Sequence, residues 1–239
     1  MSGAALHTIF DIAAWLAAGL AIWWLSRHRG LQFPAQSFEL PYLAALVFGA
    51  GLGAFLFGSL NLWLSGMPGL ARSVEGALAG GIAAIELYKW TAGIFVRTGA
   101  RFALPLAIGI AIGRIGCYLA GLDDFTYGTP TALPWGHDFG DGISRHPVQL
   151  YESAAMAAFA AYYVVAVIRR DGFVIANGFY LVLIYYALQR FIWEFFKPYA
   201  ALIGSLTLFH LLSLFILFYA SVMLATAPHA RVEHERAVA

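Results

Sequence analysis

Residues 102–121 read FALPLAIGIAIGRIGCYLAG. A helix crosses the hydrocarbon core of a bilayer in roughly 20 apolar residues. This run has that length and carries one charge, Arg114. A guanidinium at such depth costs on the order of 2.5 kcal/mol or more. Arg114 is therefore either paired with a carboxylate on a neighbouring helix or kept for an anionic ligand. Its permanent charge and planar fork suit phosphate.

Apolar runs of similar length recur along the chain. Seven segments can span a membrane, at about 8–26, 42–64, 76–96, 102–121, 148–168, 176–196 and 203–225. The chain of 239 residues is 61% hydrophobic and 11% charged, against about 25% charged in soluble domains. It reads as an all-α polytopic membrane protein, a single membrane domain over 1–239. A net charge of +1 points to no nucleic-acid partner, and one cysteine, Cys117, excludes an internal disulfide. No lysine or arginine precedes the run Ile9 to Ser26, and no small-x-small cleavage site follows it. It is expected to be a retained helix rather than a signal peptide. The segment 122–147, rich in Gly, Pro and Asp, is expected to be a loop. The polar tail, 228–239, is expected to be mobile.

Basic residues set the orientation. With the N-terminus outside, Arg27, Arg29, Arg97, Arg101, Arg169, Arg170, Arg231 and Arg236 fall inside, and Arg72, Arg145 and Lys197 outside. Seven transmembrane helices, N-out and C-in, are predicted, with loop 122–147 on the outer face. Gly76-x-x-x-Gly80 and Gly109-x-x-x-Gly113 have helix-packing spacing, but matches of this kind arise often by chance in so glycine-rich a chain.

Charges inside the spans single out candidate sites. Glu86 and Lys89 lie three apart near a helix end and can pair while Lys89 snorkels. In YYALQRFIWEFFK (185–197), Tyr186, Arg190, Glu194 and Lys197 share one helical face. Arg190 and Glu194 could neutralise each other, or the stripe could line a polar cavity. In RHPVQLYES (145–153), Gln149 and Glu152 share a face, and Glu152 could pair with Arg114 or Arg190. Glu75, in SVEGALAGG (73–81), sits at a helix N-terminus where the dipole favours a carboxylate. It could also act as a general base. Cys117 reads as a packing residue. His137, Asp138, Asp141 and His146 have no recognisable metal-ligand spacing, and no metal or cofactor is expected.

Together, GRIGCYLAGLDDFTYGTPT, RHPVQLYES and YALQRFIWEFFK resemble the signatures of the bacterial prolipoprotein diacylglyceryl transferase family, over about residues 40–200. The resemblance implies seven membrane helices, N-out and C-in, in the bacterial plasma (inner) membrane. It implies transfer of diacylglycerol from phosphatidylglycerol to the thiol of a lipobox cysteine in a prolipoprotein signal peptide. By position, Arg114 matches the signature arginine that contacts the lipid phosphate, and Gly128 the last signature glycine. Arg145, His146, Gln149, Tyr151 and Glu152 match the second block, and Tyr186, Arg190 and Glu194 the late-helix face. On this basis Arg114, Arg190 and Glu75 are the catalytic candidates. Arg114, Gly128, Arg145, His146, Gln149, Glu152, Tyr186 and Glu194 are the substrate-binding ones.

Three positions depart from the pattern. Cys117 and Ala120 stand where the family signature carries asparagines, and Glu75 where it carries histidine. The chain also lacks part of the family's periplasmic head region. These departures admit two alternatives: a related transferase with a different acceptor, or a non-catalytic phospholipid-binding protein.

Overall fold

A computed structural model describes residues 3–27, 31, 33–67 and 69–227. Arg29, Arg231, Arg236 and the tail expected to be mobile lie outside the described residues. Seven long helices account for most of the rest: α1 (Gly3–Arg27), α2 (Leu40–Leu64), α3 (Val74–Ala92), α4 (Ala103–Ala120), α5 (Val148–Ile168), α6 (Gly172–Glu194) and α7 (Leu208–Ala225). Six are long and apolar enough to cross a membrane. The exception is α3, whose 19 residues include Glu75, Glu86 and Lys89.

Local chemistry moves several helix ends away from the sequence reading. α3 stops at Ala92, not 96, because Gly93 takes φ +68° and closes the helix. α6 begins at Gly172 rather than 176, because the Asp171 side chain accepts the Val174 N–H at 3.1 Å. α7 begins at Leu208 rather than 203. Residues 201–207 instead form a hairpin of β3 (Ala201–Ile203) and β4 (Leu206–Thr207). Thr207 then caps α7, with His210 reciprocating. The loop 122–147 carries a small hairpin of its own, β1 (His137–Asp138) paired with β2 (Ser144–Arg145). Asp138 Oδ1 closes its turn by accepting the N–H groups of Gly140, Asp141 and Gly142.

α4, α5 and α6 form the centre. Ala103, Leu104, Ala107, Met156, Tyr163 and Val182 are buried there together. The Ser153 hydroxyl donates to the Ala111 carbonyl at 2.7 Å and ties α5 to α4. Apolar side chains also cover the outside: Trp15, Leu16 and Leu20 on α1 and Val47, Phe48 and Leu52 on α2 are exposed. A surface of this kind suits lipid rather than water.

α2 and α3 cross at four glycines. A Cβ at Gly53 would collide with the Gly76 carbonyl, and one at Gly80 with the Gly49 carbonyl. Gly76-x-x-x-Gly80 is thus a packing seam. Gly109 and Gly113 have the same spacing, yet a Cβ on either would meet nothing within 4 Å. Gly53→Val should therefore lower the melting temperature in detergent, with a cost of about 1–3 kcal/mol for overpacking. Gly109→Val should leave it unchanged.

Candidate active site

The regular spacing of α6 aims Tyr186, Arg190 and Glu194 to one side. Arg190 Nη2 meets Glu194 Oε2 at 2.7 Å, one turn along the same helix. Its Nε meets Glu75 Oε2 of α3 at 3.3 Å, and its Nη1 meets Glu152 Oε1 of α5 at 3.1 Å. The guanidinium also lies over the Phe209 ring, 5.2 Å from its centre. One arginine therefore gathers carboxylates from three helices.

Glu152 is the second hub. Its other oxygen, Oε2, meets Arg114 Nε of α4 at 2.5 Å, and Oε1 also takes Lys197 Nζ at 2.8 Å. Outer contacts hold the remaining carboxylate oxygens: the Thr207 hydroxyl donates to Glu194 at 2.7 Å, and the Ser213 hydroxyl donates to Glu75. All six charged side chains are buried. Glu75, Glu152 and Glu194 oppose Arg114, Arg190 and Lys197, so the ionised cluster has no net charge. Balance of this kind is what makes buried ions tolerable.

A cavity of about 1060 Å³ opens beside the cluster. Arg114, Arg190 and Lys197 reach its wall, and Gly109 and Gly113 line it without side chains. Glu86 and Lys89, paired at 3.2 Å, also line it. The cavity volume stands at the top of the usual small-molecule range of about 300–1,000 Å³. Gly113→Leu should fill this space and abolish retention of co-purifying lipid by the protein, while its melting temperature stays that of the parent. Lipid mass spectrometry reads the first effect.

The structure thus brings together Arg114, Arg190, Glu75, Glu152, Tyr186 and Glu194. Tyr186 is fully buried, and its hydroxyl meets no hydrogen-bond partner among the described residues. Gln149, one turn before Glu152, is also fully buried with an unpartnered amide. Glu75 is not the cap of α3; Ser73 is, accepting the Gly76 N–H at 3.1 Å. The Glu75 carboxylate turns inward and stands behind Arg190, off the cavity wall.

Gly128, Arg145 and His146 lie elsewhere. Arg145 grips Asp141 with two hydrogen bonds of 2.6 and 2.7 Å, and this guanidinium holds the Asp141 carboxyl below the usual carboxylate range. His146 packs against Phe196, with ring centres 4.8 Å apart and planes tilted by 58°. Gly128 fits against the His146 carbonyl. These three brace the long loop where it meets the start of α5 and the end of α6. Ser213 and Thr207 were not foreseen, because neither belongs to a polar motif. Only the Thr-x-x-His spacing at residues 207–210 hinted at a cap.

A sequence profile of prolipoprotein diacylglyceryl transferases matches residues 9–226. The chain belongs to the prolipoprotein diacylglyceryl transferase family. A phosphatidylglycerol–prolipoprotein diacylglyceryl transferase of Geobacter sulfurreducens is 32% identical over 177 residues, covering 67% of this chain and 64% of that protein. A protein of the same name from Nitratidesulfovibrio vulgaris strain Miyazaki F is 33% identical over 198 residues, 73% of this chain and 71% of that one. One from Rhodospirillum centenum is 31% identical over 168 residues, 59% and 57% of the two chains. No solved structure matches the chain significantly. In this family member, the three stretches that carry the resemblance hold Arg114, Glu152 and Arg190, and those residues meet in one cluster.

Proposed function

We propose that this chain transfers a diacylglyceryl group from phosphatidylglycerol to the cysteine thiol of a prolipoprotein lipobox. It does so in the bacterial plasma membrane, crossing it seven times with α3 among the spans and the N-terminus outside. The observation that carries this reading is the sharing of Glu152 by Arg114 and Arg190, with both guanidiniums on the wall of one large cavity.

The reaction is a displacement at a primary carbon. A C–S bond forms, a C–O bond breaks, and the electron pair leaves on glycerol phosphate. The phosphodiester begins with one negative charge and the leaving phosphate monoester ends near two. Arginines fixed beforehand in a low-dielectric site stabilise that developing charge. Arg114 and Arg190 take this role, and Lys197 adds a third cation. Glu152 and Glu194 position them. Tyr186 and Gln149 offer unsatisfied polar groups beside the same cluster.

The sequence reading made Glu75 the base. Its place behind Arg190 favours a positioning role, and a pH profile separates the two. If Glu75 is the base, Glu75→Gln transfers poorly at neutral pH and recovers as the acceptor thiol ionises by itself. If it positions Arg190, transfer falls by a similar factor at every pH. We expect the second result.

The test of the reaction uses purified protein, labelled phosphatidylglycerol and a lipobox peptide. A mass gain of one diacylglyceryl group on the thiol, absent in Arg114→Ala, supports it. Cys117 and Ala120, at positions where the family signature has asparagine, favour a second reading in which the acceptor differs. Consumption of phosphatidylglycerol with no gain on the peptide would select it.

A further inference from the structure

Beside Arg114, a second group of side chains faces the same cavity. His7 of α1, Cys117 of α4 and Asp124 of the following turn each offer one donor atom, all within 4.8 Å of one another. His7 Nε2 lies 3.2 Å from Asp124 Oδ1 and 3.6 Å from Cys117 Sγ. Tetrahedral zinc, with bonds of about 2.0–2.3 Å to such ligands, spaces N and O about 3.3 Å apart and N and S about 3.6 Å apart. Two of the three edges already have those lengths.

We propose that His7, Cys117 and Asp124 form a three-ligand site for a divalent transition metal of the zinc type, with its fourth position open to the cavity beside Arg114.

Further observations support the site. The other ring nitrogen of His7 faces Asp11 Oδ2 at 3.1 Å. A carboxylate on the far nitrogen is how metal-bound histidines are oriented and made more basic. Asp11 is held in turn by Arg72 at 3.5 Å, and Asp124 by the Thr126 hydroxyl. A thiolate, an imidazole and a carboxylate match the ligand preferences of zinc. One thiolate and one carboxylate also neutralise a dication, so the filled site adds no charge to the membrane. His7, Cys117 and Asp124 all line the cavity, as does Arg114. The Arg114 guanidinium lies 3.9 Å from Cys117 Sγ.

The use of the site rests on the proposed reaction; the site itself does not. An acceptor thiol entering the fourth position would lose its proton to water on coordination and bind as thiolate. That thiolate would attack the glyceryl carbon while the C–O pair leaves on the phosphate held by Arg114. The metal would thereby supply the thiol activation that Glu75, behind Arg190, does not.

The experiment uses the full chain without a histidine tag, purified in detergent and titrated with cobalt(II). We expect one ion per chain and a thiolate-to-cobalt charge-transfer band. Cys117→Ser should remove that band, and Asp124→Asn should weaken binding at least tenfold, with melting temperatures close to the parent's. No retained metal, or equal binding by both variants, would overturn the site. The contacts of His7 would then be those of an imidazolium ion between Asp11 and Asp124. Zinc removal by chelation should abolish thiol transfer, and zinc should restore it. Transfer that survives chelation would overturn the thiolate role alone. A protein that binds cobalt but lipidates no lipobox peptide would instead count against the proposed acceptor.

Discussion

Glu152→Gln should cost more stability than any other single change in the cluster, about 3–5 kcal/mol. The residue is fully buried and contacts Arg114, Arg190 and Lys197 at once. Glutamine keeps the volume and removes the charge. Three cations would then face two carboxylates, Glu75 and Glu194, in a water-poor interior. Breaking a buried pair by removing one partner leaves such charges uncompensated, which is the costly case. The measurement is thermal unfolding in detergent, with Asp141→Asn as the control. Asp141 also pairs with an arginine, but it is exposed, so its loss should be nearly silent. A Glu152→Gln protein that melts with the parent would mean that Glu152 does not anchor the cluster.

Arg114→Lys should lower the transfer rate by about 10²–10³, the usual loss when a preorganised charge-stabilising donor is removed. Lysine preserves the charge but not the planar fork. In the parent, Arg114 gives Nε to Glu152 at 2.5 Å, and the guanidinium remains on the cavity wall. A lysine ammonium held by Glu152 has its three donors on a single atom, so it cannot span Glu152 and the phosphate as the separated nitrogens of a guanidinium do. The loss should fall in kcat, because the contact strengthens as charge develops on the leaving group. A rise in KM with kcat unchanged would place Arg114 in lipid binding only.

How much of this was legible in the sequence depends on range. Arg114 stood out because a charge inside an apolar run needs a partner or a use. The α6 stripe stood out because its spacing is helical. Which carboxylate serves which arginine was not legible, since Glu152 reaches α4 and α6 only after three helices pack. The Glu75 position suggested a cap, and the tertiary contact with Arg190 overrode that local role. The two Gly-x-x-x-Gly pairs read alike, yet one is a seam and the other a cavity wall. His7 and Cys117 are 110 residues apart, so no local pattern joins them. Residues 203–207 read as the start of the last span because a hairpin that short has too few residues to show alternation.

The equal numbers of acids and bases in the cluster bear on how a catalytic cycle would end. A site with surplus positive charge would hold a dianionic product harder than its monoanionic substrate, and turnover would stall on release. Here each arginine leans on a carboxylate that is always present. In the proposed reaction those carboxylates would compete with the phosphate for guanidinium donors, and so favour its departure once the ester bond has broken. Under the proposed reaction, glycerol phosphate should accordingly be a poor inhibitor.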